Sequence, residues 1–218
     1  MIKNIFFDLD GTLIDSAGDI TAAVNTMRHN YNLEPVTKEI VASVIGKGYP
    51  NTVRKMLAID FDSEYIETIV NEAIQIVTNA YRSQNSANTI VYNGVRDTLE
   101  YCKQNNIMMA VVTNKTEDAA RDTLKHLCLD KYFDAIVGGD TTVNYKPSPE
   151  PLLYAMKQIG AQASESIMIG DSVNDYKCAS DCGINTILLS YGYNNGVDLK
   201  SLNAFAYADC FEELKKFI

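Results

Sequence analysis

The amino-acid sequence predicts an α/β protein whose core is a doubly wound, Rossmann-like parallel sheet with an all-helical cap domain inserted into it. Two observations support this fold class. After residue 83, short apolar runs of strand length alternate with segments of helical periodicity, which is typical of parallel strands joined by right-handed crossovers. Residues 15–83 show helical periodicity alone. We therefore predict a core of residues 1–14 and 84–218 and a helical cap of residues 15–83.

The first predicted strand, residues 2–7, ends directly at two carboxylates, Asp8 and Asp10, which are followed by Gly11 and Thr12. In an open parallel sheet, ligands bind in the crevice at the carboxyl ends of the strands. Two carboxylates so close together repel each other, so the site requires a proton or a cation. A divalent metal that prefers oxygen ligands is the natural partner, and Mg²⁺ is the expected ion. An ordinary Asp-Gly turn with solvated acids would give the same residues, so this stretch alone leaves both interpretations open.

The cap is expected to contain four helices. Apolar residues at helical spacing and the breaks between them place these helices at residues 20–31, from 35–37 onward, at 51–57 and at 66–80. The third helix follows a break at Gly46-Lys47-Gly48-Tyr49-Pro50.

The remaining core is expected to contain four more strands and five helices. The strands are residues 108–112, 135–137, 167–169 and 186–189, and the helices are residues 95–105, 117–127, 149–159, 172–182 and 211–217.

Composition limits the classes of function. Acidic residues outnumber basic ones by nine, 28 against 19, which argues against non-specific nucleic-acid binding. Five scattered cysteines do not resemble a disulfide framework and favour a reducing, cytoplasmic setting. The first apolar run is too short for a signal peptide, and no stretch reaches the roughly 20 apolar residues of a membrane span. We expect a cytoplasmic monomer or weak homodimer without nucleic-acid or membrane partners.

Polar groups also follow the later strands. Thr113 and Asn114 offer a hydroxyl and an amide to a phosphoryl oxygen, although both residues also favour the N-cap of a helix. Lys146, which precedes Pro147, would ordinarily be a solvated loop residue. The stretch 170–175 has its acids in the first turn of a predicted helix, where the helix dipole favours them.

Taken together, these stretches resemble the four signatures of the haloacid dehalogenase-like phosphohydrolases, in the order of that family and over nearly the whole chain. The matching segments are Asp8-Leu9-Asp10-Gly11-Thr12, Thr113-Asn114, Lys146-Pro147 and Gly170-Asp171-Ser172-Val173-Asn174-Asp175. The resemblance implies that Asp8 attacks phosphorus and forms an aspartyl-phosphate. It also implies that Asp10 protonates the leaving group and then activates water. The implied Mg²⁺ ligands are the Asp8 carboxylate, the Asp10 main-chain carbonyl and Asp171.

The same resemblance assigns supporting roles. Lys146 would neutralise the phosphoryl group and the attacking carboxylate, Thr113 and Asn114 would contact phosphoryl oxygens, and Asp175 would orient Lys146 or a metal-bound water. Related ATPases have Asp-Lys-Thr-Gly at the first signature, and phosphonate-cleaving relatives have an alanine in place of the second acid. The acid at position 10 therefore implies a phosphomonoester hydrolase or a phosphomutase.

The cap is expected to select the substrate. Lys47 and Arg54 would bring cations over the crevice, although a flexible turn and a surface arginine explain the same residues. Three further segments resemble phosphoglycolate phosphatases in particular: Val112-Thr113-Asn114-Lys115, Val137-Gly138-Gly139-Asp140 and Tyr191-Gly192-Tyr193-Asn194. This implies a small phosphorylated metabolite, 2-phosphoglycolate, whose carboxylate Lys47 and Arg54 would contact.

Other functions of the same fold remain open. They are a pyrophosphatase, a nucleotide or sugar-phosphate phosphatase, a β-phosphoglucomutase-type mutase and a non-enzymatic phosphate-binding module. The last of these would be expected to lack one or more of the catalytic groups, and the sequence contains all of them.

Overall fold

A six-stranded parallel sheet with helices on both faces forms the centre of the computed structural model, which describes residues 2–218. The strands are β1 (Asn4–Phe7), β2 (Ile14–Asp15), β3 (Ile90–Val91), β4 (Met108–Val112), β5 (Ala135–Val137), β6 (Ser166–Gly170), β7 (Asn185–Leu189) and β8 (Ala206–Ala208). The helices are α1 (Ala17–Asn30), α2 (Lys38–Ala42), α3 (Gly48–Leu57), α4 (Ser63–Ser83), α5 (Val95–Gln104), α6 (Glu117–His126), α7 (Glu150–Ile159) and α8 (Val173–Asp181). The predicted doubly wound parallel sheet is therefore confirmed.

The central strand β1 is apolar on both faces because helices cover both sides of the sheet. Ile5 and Phe7 pack in one hydrophobic cluster with residues of α5 and α6. Phe6, which points the other way, packs in a second cluster with residues of α7 and α8. A strand buried on both faces is mostly apolar, and the run Ile5-Phe6-Phe7 is what makes β1 recognisable.

The order of the strands determines where the carboxyl ends of β1, β4 and β6 meet. The sheet has the order β5-β4-β1-β6-β7-β8, with every pairing parallel. The chain proceeds from β1 to β4 and β5 on one side, then crosses over to β6 on the other side. This reversal of direction beside β1 is a topological switch point, where open α/β sheets bind their ligands.

The helices α1–α4 form a segment with a hydrophobic cluster of its own, whose buried members all lie between residues 17 and 81. Two chain connections join this segment to the sheet, and they pair with each other as the antiparallel strands β2 and β3, with Ile14 opposite Val91 and Asp15 opposite Ile90. The sequence did not predict this pair, because two residues are too few to give a periodic pattern. The predicted boundaries between the core and the cap domain, between residues 14 and 15 and between residues 83 and 84, stay a prediction.

Besides shifts of a few residues at the ends of other elements, three features differ from prediction. Strand β8, three residues long at the edge of the sheet, was not predicted. Helix α3 begins at Gly48 rather than residue 51, because a proline such as Pro50 is tolerated in the first helical turn. Residues 211–216 form a 3₁₀-helix instead of an α-helix. Within residues 2–218, every helix is too short or too polar to cross a lipid bilayer.

Candidate active site

Three buried carboxylates meet where β1 and β6 end. Asp8 follows β1, Asp171 follows β6, and Asp175 lies in the first turn of α8. Each carboxylate offers one oxygen, and these oxygens all lie within 4.8 Å of one another. Their closeness follows from the topology, because β1 and β6 are parallel neighbours whose carboxyl ends lie side by side.

Lys146 places its ammonium between two of these acids. Its Nζ lies 2.9 Å from Oδ1 of Asp8 and 2.7 Å from Oδ1 of Asp175, and its side chain is only 2% exposed. Burial alone would lower the pKa of Lys146, but the charges of Asp175 and Asp8 outweigh burial and raise that pKa above its ordinary value. Lys146 is therefore a buried cation that faces Asp8.

The carboxylates of Asp175 and Asp171 make different hydrogen bonds. Oδ2 of Asp175 accepts hydrogen bonds from two atoms of Ser172, Oγ at 2.6 Å and the main-chain N at 3.1 Å. The bond from the main-chain N is part of a capping box at the start of α8. Oδ1 of Asp171 accepts from Oγ1 of Thr12 at 2.8 Å, and its Oδ2 accepts from the main-chain N of Tyr193. Protein groups engage both oxygens of each carboxylate, but of these two acids Asp175 is the one paired with a cation, Lys146, which favours an orienting role for Asp175 over direct metal binding.

The charge of the cluster fits a divalent cation. Three carboxylates and the single ammonium of Lys146 leave two negative charges in a buried site. Burial, partly offset by Lys146, raises the pKa of Asp8 to about 7. Burial and the charges of Asp8 and Asp175 raise the pKa of Asp171 well above its ordinary value. A divalent ion with a preference for oxygen ligands, such as Mg²⁺, would balance this charge, so the residues present fit the metal.

Two glycines leave room for the Asp171 carboxylate. A Cβ atom added to Gly11 would lie 2.3 Å from Oδ2 of Asp171. A Cβ atom added to Gly192 would lie 2.3 Å from both Cβ and Oδ2 of Asp171. Gly11 also has φ +91°, a left-handed conformation that other residues rarely adopt. Asp171 therefore keeps its position only while both neighbours lack side chains.

We expect Gly11→Ala to weaken Mg²⁺ binding by a factor of about 10 to 100, because the added methyl group displaces the Asp171 carboxylate. Titration calorimetry with Mg²⁺ measures this loss. Gly160→Ala is the matched control, since Gly160 also has a positive φ (+68°) but its Cβ would meet nothing within 4 Å. This control should lose about 1 kcal/mol of stability and bind Mg²⁺ normally. Wild-type affinity in Gly11→Ala would contradict the role given to this contact.

Asp10 forms a separate ion pair with a lysine that sequence reasoning missed. Nζ of Lys115 lies 2.9 Å from Oδ1 and 3.1 Å from Oδ2 of Asp10, and Oγ of Ser16 donates to Oδ1 at 2.5 Å. Burial would lower the pKa of Lys115, but the charge of Asp10 and the tyrosines Tyr49 and Tyr81 raise it well above its ordinary value. The signals in the sequence were the position of Lys115 two residues beyond Thr113, at the end of β4, and its place in the segment Val112-Thr113-Asn114-Lys115.

Thr113 and Asn114 lie at the same edge with different partners. Thr113 is buried, and its Oγ1 accepts a hydrogen bond from the main-chain N of Lys115 at 3.2 Å. Nδ2 of Asn114 donates to the carbonyl of Gly46 at 2.8 Å and to that of Lys146 at 2.9 Å. Asn114 therefore connects the helical segment to the loop that carries Lys146, and its amide hydrogens are engaged by main-chain oxygens.

The structure does not bring Lys47 and Arg54 to the site. Both are exposed, and the guanidinium of Arg54 pairs with Glu67 of α4. The reason is the rotation of α3, whose buried face recurs at helical spacing and leaves Arg54 on the opposite side. The residues of that buried face are Tyr49, Thr52, Val53, Met56 and Leu57. Lys47 precedes α3, so this helical phase accounts for Arg54 alone, and contact of Lys47 with a substrate stays a prediction.

A cavity lies between the helical segment and the sheet edge. The sheet edge contributes Asp8, Asp10, Thr113, Asn114 and Lys115 to its lining, and the helical segment contributes Ile20, Ile45, Gly46, Gly48, Tyr49 and Thr52. Among the described residues of this lining, Lys115 is the only cation. The cavity suits a small molecule whose polar end faces the sheet and whose other end faces the helices.

Comparisons with known proteins agree with this architecture. Residues 5–189 match the model of the haloacid dehalogenase-like hydrolase family. The chain is 38% identical over 217 residues to a phosphoglycolate phosphatase of Pseudomonas syringae pv. syringae (strain B728a), covering 99% of this chain and 78% of that protein. It is 34% identical to a phosphoglycolate phosphatase of Nitrosospira multiformis, covering all of this chain and 96% of that one.

Among solved structures, a predicted phosphoglycolate phosphatase from Haemophilus somnus 129PT superposes with a TM-score of 0.90 at 26% identity, covering 99% of this chain and 97% of that one. With the family model matched over most of the chain, and relatives above 30% identity along nearly its whole length, the chain belongs to the haloacid dehalogenase-like hydrolase family.

Proposed function

We propose that this protein is a Mg²⁺-dependent phosphomonoester hydrolase that acts through an aspartyl-phosphate on Asp8, with 2-phosphoglycolate as its substrate. One arrangement supports this most directly. The Asp8 carboxylate faces the cavity together with Asp10, and Lys146 lies 2.9 Å from its Oδ1. A nucleophile, a second acid for proton transfer and a cation for the phosphoryl group are thus assembled in one place. Relatives named phosphoglycolate phosphatase support the substrate.

In the proposed first step, an oxygen of Asp8 forms a bond to phosphorus while the bond from phosphorus to the leaving oxygen breaks. Asp10 gives a proton to that oxygen, and in the second step it takes a proton from the water that hydrolyses the aspartyl-phosphate. Lys146 offsets the negative charge around Asp8, and the Thr113 hydroxyl donates to a phosphoryl oxygen. Mg²⁺, held by Asp8, Asp171 and the Asp10 carbonyl, would neutralise further charge on the phosphoryl oxygens.

We also propose that residues 15–83 act as a cap that closes over the cavity. Water must be excluded during attack on phosphorus and admitted afterwards, so the cover has to open and close. The paired connections β2 and β3 lie where such a motion would be accommodated. The polar groups of Asp8, Thr113 and Asn114 in the lining of the cavity support a small phosphorylated metabolite as the substrate.

A Mg²⁺-dependent screen of phosphorylated metabolites tests this function. It compares 2-phosphoglycolate, pyrophosphate, nucleoside monophosphates and hexose phosphates, with p-nitrophenyl phosphate as a chromogenic reference. We expect 2-phosphoglycolate to give the highest kcat/KM. A higher value for another compound would replace the substrate, and a requirement for a sugar bisphosphate would indicate a mutase. Binding of phosphate without hydrolysis of any compound would indicate a phosphate-binding module.

Mg²⁺ affinity is expected to depend on pH. The pKa of Asp8 is raised from its ordinary value of 3.8 in the unfolded chain to about 7 in the folded protein. The proton on Asp8 therefore stabilises the metal-free fold, and this stabilisation is fully present below pH 3.8. That stabilisation is lost as the pH rises through 7. Because Mg²⁺ has to displace the proton of Asp8, and also that of Asp171, whose pKa is raised as well, its apparent Kd should fall by at least about tenfold per pH unit below pH 7.

Calorimetric titrations between pH 5 and pH 8, repeated in buffers of different ionisation enthalpy, measure this Mg²⁺ affinity and the protons released. Asp8→Asn, which cannot bind that proton, should show a smaller pH dependence. An affinity that does not change with pH in the wild-type protein would contradict the raised pKa of Asp8.

A further inference from the structure

Lys115 joins the two parts of the molecule at the cavity. It follows β4 in the sheet, yet its ammonium reaches both the sheet edge and two tyrosines of the helical segment. Its side chain is only 1% exposed. A buried lysine requires compensation for the loss of water, so the groups around it define its role.

On the sheet side, the compensation comes from Asp10. Both carboxylate oxygens of Asp10 lie within 3.1 Å of Nζ of Lys115, and Oγ of Ser16 also donates to Oδ1. An ammonium has three hydrogens to donate, and this arrangement directs two of them at Asp10. Lys115 thereby restricts the orientation of the Asp10 carboxylate.

On the helical side, two aromatic rings cover the ammonium. Nζ of Lys115 lies 4.5 Å from the ring centroid of Tyr81 on α4 and 5.8 Å from that of Tyr49 on α3. The two rings are 5.5 Å apart, and both side chains are buried. Aromatic faces attract a cation, most strongly where water is excluded. Without them Lys115 would be solvated, and its ion pair with Asp10 would be weakened by water and salt.

We propose that Lys115 is a positioning residue for Asp10, and that Tyr81 and Tyr49 hold Lys115 in place only while the helical segment covers the sheet edge. Proton transfer to and from the reacting oxygen is thereby coupled to closure of the cap. This inference rests on the proposed function, because it concerns the group that moves protons in that reaction. Direct binding of substrate by Lys115 is disfavoured, since the carboxylate and the rings occupy the surroundings of its ammonium.

The test compares two phosphate esters that differ in their need for a proton. An alkyl phosphate such as 2-phosphoglycolate requires protonation of its leaving oxygen, whereas p-nitrophenolate leaves as a stable anion. The parameter kcat/KM reports the steps up to departure of the leaving group. Lys115→Met should lower kcat/KM for the alkyl ester about 100-fold and for the aryl ester less than about threefold. Lys115→Arg, which keeps a cation beside Asp10, should recover part of the loss.

Substitutions of Tyr81 test whether the helical segment holds Lys115 in place. Tyr81→Leu should change the ratio of the two kcat/KM values in the same direction as Lys115→Met, by about tenfold. Tyr81→Phe keeps the ring and should change the ratio less. Lys125→Met, an exposed lysine of α6, is the matched control for loss of a lysine and should leave the ratio unchanged. Lys115→Gln replaces Lys115→Met if the latter does not fold.

A double variant gives the sharpest result. If Lys115 acts through Asp10, adding Lys115→Met to Asp10→Ala should produce no further loss with the alkyl ester. An additive loss, an equal loss for both esters in Lys115→Met, or a rise in KM alone would overturn the inference and leave the proposed function intact. Failure of the wild-type protein to hydrolyse either ester would overturn the proposed function and this inference together.

Discussion

Asp8→Asn is expected to abolish turnover, lowering kcat by a factor on the order of 10⁴ or more. The amide has the shape of the carboxylate and can still accept a hydrogen bond from the main-chain N of Leu9, which now donates to Oδ1 at 2.7 Å. It lacks the negative charge needed for attack on phosphorus, and it loses the ion pair with Lys146. Mg²⁺-dependent hydrolysis of 2-phosphoglycolate and of p-nitrophenyl phosphate measures the effect.

Asp140→Asn is the matched control for this prediction. Asp140 follows β5 at the same edge of the sheet, and its Oδ1 accepts from the main-chain N of Glu117 at 2.7 Å. It is exposed and does not line the cavity, so the same chemical change there should leave kcat unchanged. Substantial hydrolysis by Asp8→Asn would contradict the covalent mechanism. A beryllium fluoride adduct located on any residue other than Asp8 would contradict it equally.

The core of the fold was predictable because its central strands are buried on both faces. An uninterrupted apolar run such as residues 108–112 can only be accommodated inside a layered structure. The edge strand β8 has a neighbour on one side only and just one of its three residues fully buried, so its sequence lacks that signal. The pair β2 and β3 is shorter still.

The acids of the candidate site were predictable for a related reason. Asp8 and Asp171 each stand directly after an apolar strand, and parallel strands place such residues at one edge of the sheet. The contact of Lys115 with Asp10 was not predictable in this way, since a lysine that follows a strand is ordinarily exposed, and a ring that lies over this ammonium comes from the helical segment. The exposed position of Arg54, in contrast, could have been predicted from the helical spacing of the apolar residues of α3.

The distribution of charge explains why both lysines at the site are buried. Lys146 faces the acids that fit a metal, and Lys115 faces the acid proposed to move protons. Each lysine therefore compensates a different carboxylate, and each comes from a different loop of the sheet edge. Among the described residues, Asp10 lies outside the cluster formed by Asp8, Asp171 and Asp175. The pairing of Asp8 and Asp10 with different lysines is consistent with separate tasks for these two aspartates.

Asp10→Ala is expected to lower kcat for 2-phosphoglycolate by a factor on the order of 10³, because both proposed proton transfers lose their group. The change also leaves Lys115 buried without its partner, so a loss of about 3 kcal/mol in the free energy of unfolding should accompany it. Asp10→Asn, which keeps the volume of the side chain, is the companion variant. Thermal unfolding separates the loss of stability from the loss of activity.

The aryl ester distinguishes this variant from Asp8→Asn. With p-nitrophenyl phosphate, Asp10→Ala should still release one equivalent of p-nitrophenolate in a rapid phase, since that leaving group needs no proton. Hydrolysis of the aspartyl-phosphate then has no base to activate water, so the phosphorylated protein accumulates and is detectable by mass spectrometry as an added phosphate on Asp8. Asp8→Asn should show no rapid phase at all. Full turnover by Asp10→Ala, or the absence of a rapid phase in a folded sample, would contradict the role proposed for Asp10.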